Sequence, residues 1–271
     1  MIKINNTKIR IMLLLAAVLA IGTGVFRAFL LVNYIEPETG FYITGTNLGT
    51  VFAAVCVLLS AIILASGFCV RKIPAPEHLD SRSTVVVFTS ALCAFLYISL
   101  FFYSIYRLLN SGTVTDYFLV VETLLCIPCC LNHISVCSAE VREKNTPHAL
   151  LAMSEALFFA IRVVEVFMDK EGQINSSQRA LELVMLCSMM VFFLLEAEFL
   201  VVREEGNLKS LSKYFMSGLA SVVFPIVAVV PYLAVSLFWC FEADFVIMDV
   251  LECSIMLFAA SRILHLKPNK E

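Results

Sequence analysis

Charge is scarce in this chain: only 15% of its 271 residues are Asp, Glu, Lys or Arg, while 60% are hydrophobic. Soluble domains average about 25% charged residues, so an aqueous globular fold is excluded. No Gly-Lys dipeptide occurs, which excludes a P-loop, and the His-Glu-x-x-His and Gly-x-Ser-x-Gly signatures are missing as well. Polar sequence between the apolar stretches is equally sparse. The longest connection, Asn33 to Thr46, is too short for a folded soluble module, so no room is left for an ATP-binding or DNA-binding domain. No nucleic-acid partner is expected. No nucleophile stands beside a recognisable base and orienter, so the reading is not that of an enzyme, and no cofactor is expected.

What is present is hydrophobic length. Stretches near 11–32, 47–70, 84–107, 117–138, 149–167, 180–202, 213–240 and 244–265 each approach the roughly 20 apolar residues that cross a bilayer as a helix. The expectation is an all-α, polytopic transmembrane bundle of eight helices forming a single integral membrane domain, 1–271, with the lipid bilayer as its partner. Its first stretch, with a basic start and an apolar core from Ile11, resembles a signal peptide. The apolar run continues to Leu31 without a small-residue cleavage site, which favours an uncleaved helix.

Fourteen of the nineteen cations fall at alternate connections or termini: Lys3, Lys8, Arg10; Arg71, Lys72, Arg82; Arg142, Lys144; Arg203, Lys209, Lys213; Arg262, Lys267, Lys270. The positive-inside rule then places both termini in the cytoplasm, with the cell membrane as the expected location. Glu36, Glu38, Asp116, Asp169, Glu171, Glu242 and Asp244 fall outside.

Four successive helical hairpins, 11–70, 84–138, 149–202 and 213–265, follow from the spacing of span starts. Cys56, Cys126, Cys187 and Cys253 recur at similar places in the even helices. Glu122-Thr-Leu-Leu-Cys126 also resembles Asp249-Val-Leu-Glu-Cys253, as parallel repeats would. Chance matching of Leu-rich helices is the competing explanation. Ten cysteines, nearly all inside spans, do not form a disulfide framework and read as small buried hydrophobes.

Against this apolar background, charges inside the spans are the informative residues. Arg27, Arg107, Glu122, Arg162, Glu165, Glu182, Asp249 and Glu252 all lie on the half of their helices expected to face outward. An ionisable group in hydrocarbon costs from about 2.5 kcal/mol upward, so recurrence at one depth calls for a shared polar interior. Glu122, Arg162, Glu182, Glu252, Arg27 and Asp249 are therefore the candidate solute- or ion-binding residues, lining a vestibule that tapers toward Glu252. The expected function is that of a carrier or channel-like protein for a small polar or cationic solute.

The alternative is a non-transporting membrane scaffold or sensor subunit whose charges are structural ion pairs; Arg162 and Glu165, three apart on one helix, suit such a pair. A third reading uses Arg27, Arg107 and Arg162 as a cationic face for anionic lipid headgroups.

Toward the cytoplasm, Glu155 and Glu196 lie deeper than Glu198, Arg203, Arg262 and His265. They either step a proton or Na⁺ across the membrane or pair with Arg262 or Arg203. Cys126, Cys130, His133 and Cys137 share one helical face, yet one helix offers a metal only two ligands at i and i+4, so no metal site is assigned. Asn132 and His133 are expected to hydrogen-bond between helices. Pro128, Pro225 and Pro231 predict kinks or breaks in the fourth and seventh helices, and Tyr34 to Tyr42 forms an interfacial turn or a lid.

Overall fold

The computed structural model describes residues 6–35, 42–43, 47–70, 83–110, 117–142, 149–168, 177–205, 211–239 and 246–265. Each apolar stretch forms one helix: α1 (Asn6–Asn33), α2 (Leu48–Val70), α3 (Thr84–Asn110), α4 (Tyr117–Arg142), α5 (Ala149–Met168), α6 (Ser177–Glu205), α7 (Leu211–Trp239) and α8 (Val246–Leu264). Several extend beyond the apolar run, because helical hydrogen bonding continues into polar turns that hydropathy does not mark. The connections bearing most of the charge asymmetry lie outside the described residues.

Six of these helices, α1 to α4, α6 and α7, are long and apolar enough to cross a membrane. This is the composition of a multi-pass integral membrane protein. Of the eight expected spans, all eight form helices, and α5 and α8 fall outside this apolar set. These carry three charges each within 20 and 19 residues: Glu155, Arg162 and Glu165 on α5, and Asp249, Glu252 and Arg262 on α8. Their outward faces are nonetheless apolar. Leu150, Met153, Leu157 and Phe167 of α5 and Val250 and Leu257 of α8 are exposed, while Glu155, Glu252 and Arg262 are buried.

Helices α3 to α8 pack in chain order, each on the next, and α8 returns to pack on α3, closing a ring of six. The register is antiparallel: Ser90 meets His133 and Val87 meets Cys137 between α3 and α4, and Thr89 meets Ser261 between α3 and α8. That last seam is lined by small polar groups, Ser83 with His265 at 2.8 Å, Thr89 with Ser261 at 3.2 Å and Cys93 with Ser254 at 3.3 Å. Aromatic rings contribute heavily to the core. Phe193 stacks on Phe159 at 5.9 Å and on Phe258 at 6.2 Å, with Phe158 and Phe192 set edge-on nearby.

Helices α1 and α2 pack on one another and on α7. Leu13, Ala16, Ala20 and Leu30 of α1 are buried there. A Cβ on Gly24 would lie 2.7 Å from the Ile226 carbonyl oxygen and 3.6 Å from the Pro231 ring, so only glycine permits this approach. Helices α4 and α7 run uninterrupted through Pro128, Pro225 and Pro231, so of the kinks or breaks expected there, breaks do not occur.

Candidate functional site

Three groups of charged side chains meet in or beside the ring. The outermost centres on Arg162 of α5. Its Nη1 lies 3.5 Å from Glu122 Oε1 on α4 and bonds Glu165 one turn along its own helix; Nη2 is 4.0 Å from Glu182 Oε1 on α6. Asp249 and Glu252 enter the same field from α8, each interacting electrostatically with both Arg162 and Glu182. Carboxyl groups from four helices thus gather around Arg162, and a second buried guanidinium, Arg179 of α6, donates to the Val166 carbonyl beside Glu165.

At an effective dielectric near 20, unit charges 4 Å apart interact by about 4 kcal/mol. Arg162 by itself therefore cannot balance all of these acids when they are ionised. Glu122 is buried, whereas Glu165 and Glu182 keep 28% and 32% of their side chains exposed, so the cluster grades from a closed wall toward solvent. Neither Asp249 nor Glu252 makes an ion pair or hydrogen bond with another described residue.

Farther along the same helices lies a second group with no exposed surface. His133 Nε2 is 3.0 Å from Glu155 Oε1, and Asn132 Nδ2 donates to that same oxygen at 2.9 Å. Ser90 of α3 contacts His133 Nδ1 at 3.0 Å, and Tyr97 stacks on the imidazole at 5.8 Å. Phe258 and Phe193 meet the ring edge-on from α8 and α6. Asn132 and His133 thus bond between helices as expected, but the partner of Glu155 is His133 rather than Arg262 or Arg203.

The third group is compensated. Arg262 Nη2 on α8 lies 2.9 Å from Glu196 Oε1 on α6, Tyr214 of α7 donates to the other carboxylate oxygen, and the guanidinium covers the Phe258 ring at 5.4 Å. This is the inner pairing anticipated for Glu196.

Of the candidate residues, Glu122, Arg162, Glu182, Asp249 and Glu252 converge. Arg27 stands with different neighbours: it donates to Tyr42 Oη at 2.9 Å and Gln178 Oε1 at 3.1 Å and lies over the Phe52 ring at 5.0 Å. Gln178 is one helical turn from Glu182. Arg107 is exposed in the last turn of α3. The fourth-helix thiols and imidazole do not assemble a ligand set; no group of three or more His, Cys, Asp or Glu placed to hold a metal occurs among the described residues.

Ile35 and Tyr42 form an isolated antiparallel bridge; the intervening residues 36–41, on which the expected turn or lid falls, lie outside the described set. Gln178, Ser90, Tyr97 and Tyr214 were not singled out by sequence, and Tyr42 was read only as part of an interfacial turn or lid. Each is an uncharged polar residue whose importance depends on which helix faces it.

Comparison with protein-family models, curated proteins and solved structures finds no match to this chain. A functional reading therefore rests on the charged layers themselves.

Proposed function

We propose that this membrane protein is a carrier or channel-like protein for a small cationic solute, bound among Glu122, Glu182, Asp249 and Glu252 beside Arg162. The observation that carries this reading is the gathering of five carboxyl groups from four helices around Arg162. A cation entering from the exposed side of Glu165 and Glu182 meets this concentration of acid. Arg162 holds Glu122 and Glu182 in place from the α5 side.

In this reading both termini are cytoplasmic and the acidic vestibule opens to the opposite face of the cell membrane. Protease accessibility of terminal tags in sealed vesicles tests the orientation. Uptake of radiolabelled methylammonium and tetramethylammonium into proteoliposomes tests the function. Glu122→Gln and Glu252→Gln, each still inserted and folded, are expected to reduce uptake at least tenfold. Unchanged uptake in both overturns the carrier reading.

The compensated Arg262–Glu196 pair favours a second reading, a non-transporting scaffold or sensor subunit in which intramembrane charge serves only to hold helices together. It predicts no saturable cation uptake by the wild-type protein.

A further inference from the structure

We propose that Arg27 is a clasp tying the α1–α2 hairpin to the rim of the acidic cluster, and that release of its bond to Gln178 is the step that admits and frees the cation. This rests on the carrier reading above and gives that site its gate.

A guanidinium is costly to desolvate, so one buried in a peripheral helix has to be held by specific groups. Arg27 has no exposed surface. Its Nη1 donates to Tyr42 Oη at 2.9 Å, its Nη2 donates to Gln178 Oε1 at 3.1 Å, and its central carbon lies 5.0 Å from the centre of the Phe52 ring. Tyr42 and Phe52 belong to its own hairpin; Gln178 belongs to α6.

The hairpin fixes Tyr42 by itself. Ile35 and Tyr42 form a backbone bridge, and the Ile43 amide donates to the Tyr34 carbonyl at 2.9 Å. The Tyr42 ring also lies so close to Gly49 that a Cβ there would stand 2.7 Å from it, and Phe52 follows one turn along α2. Arg27, Tyr42 and Phe52 therefore move as one unit. Helix α1 packs chiefly on α7 and α2, so the arginine reaches across to α6 with its side chain.

Gln178 stands at the edge through which the proposed solute enters. It precedes Glu182 by four residues, which sets both on one helical face, and Glu182 keeps 32% of its side chain exposed. The neighbouring Arg179 donates to the Val166 carbonyl beside Glu165, holding the same turn of α6 against α5. The first turn of α6 is thus tied on two sides, by Arg179 to the ring and by Arg27 to the hairpin.

The acceptor in the second tie is a neutral amide. A guanidinium binds an amide less strongly than a carboxylate, and Arg27 keeps Tyr42 and Phe52 when it lets go of Gln178. A bond of that strength can open and close within a transport cycle, freeing the α6 edge beside Glu182.

The test varies the acceptor, since Gln178 is only half-buried and its replacement leaves the core intact. Gln178→Glu turns the clasp into an ion pair and is expected to slow equilibrium exchange of radiolabelled methylammonium across proteoliposomes about fivefold. Gln178→Leu removes the acceptor and is expected to speed exchange by about the same factor. Its Kd for methylammonium, read by scintillation proximity, should match wild type, because a gate changes entry and exit alike. Arg27→Gln combined with Gln178→Glu keeps the added acid without the guanidinium and should restore fast exchange; if that variant fails to insert, the two single Gln178 variants decide. Exchange in Gln178→Leu no faster than wild type, or in Gln178→Glu no slower, overturns the clasp and leaves the carrier reading standing on its own uptake. Absence of uptake by the wild-type protein removes both.

Discussion

Arg162 Nη1 lies 3.5 Å from Glu122 Oε1 across the α4–α5 interface, both side chains largely withdrawn from solvent. That contact joins a helix apolar enough to cross a membrane to one that carries three charges. Truncating the cation, Arg162→Met, leaves Glu122, Glu165 and Glu182 repelling one another. The expected loss is about 3–5 kcal/mol of unfolding free energy, as for other broken buried pairs. Adding Glu122→Gln to Arg162→Met is expected to recover part of it, read as a positive coupling in a double-mutant cycle of unfolding in nanodiscs.

The Arg262–Glu196 pair should behave differently from the acidic cluster, since it is a matched pair with a tyrosine donor. Tyr214→Phe removes one hydrogen bond to a charged group and is expected to cost about 1.5–3 kcal/mol. Arg262→Met alone should cost more than the double variant with Glu196→Gln. A double-variant loss equal to the sum of the two single losses would show that the pair is not coupled.

Two glycines on α1 provide an internally controlled packing test. Nothing lies within 4 Å of a Cβ built on Gly22, whereas one on Gly24 would meet the backbone oxygen of Ile226 at 2.7 Å. Gly24→Ala is expected to destabilise by about 1–3 kcal/mol, because a backbone carbonyl cannot rotate away. Gly22→Ala should be neutral or stabilising by up to about 1 kcal/mol through reduced chain entropy. Thermal melting of the two variants in one detergent makes the comparison.

Helix α5 is set apart from the six apolar spans by its three charges, yet Leu157 points outward from it and is 51% exposed. If that face meets lipid, Leu157→Arg should disfavour insertion by about 2.5–3.5 kcal/mol, seen as a fall in the membrane-integrated fraction. Leu157→Ala should insert almost normally. Equal insertion of the two would place α5 away from hydrocarbon.

Depth was legible in the sequence because it is linear: counting residues along each span placed Glu122 and Arg162 near one level with Glu182 nearer the outer end, and the three meet. Direction around a helix was not. Apolar residues occupy both the lipid-facing and the inward faces, so little amphipathic contrast shows which way Arg27 turns, and it stands with Tyr42, Gln178 and Phe52. His133 illustrates the same limit. Its helical neighbours Cys126, Cys130 and Cys137 suggested a ligand face, while its actual partners come from α3 and α5, which no spacing within α4 could disclose. The closure of α8 on α3 was equally hidden, since it joins the start of the ring to its end through hydroxyl and thiol groups too small to stand out in a hydropathy reading.

That closure has a mechanical consequence. Across the α3–α8 seam, Thr89, Ser254 and Ser261 each also donate to a carbonyl of their own helix, Val85 at 2.9 Å, Leu251 at 2.7 Å and Phe258 at 2.7 Å. When the two helices separate, these hydroxyls keep a bond they already have. Separating α4 from α5, or α6 from α8, instead tears an ion from its counter-ion. Among these three contacts, the α3–α8 seam is therefore the line of least electrostatic resistance, where the wall can gape and reseal while every fixed charge keeps its companion.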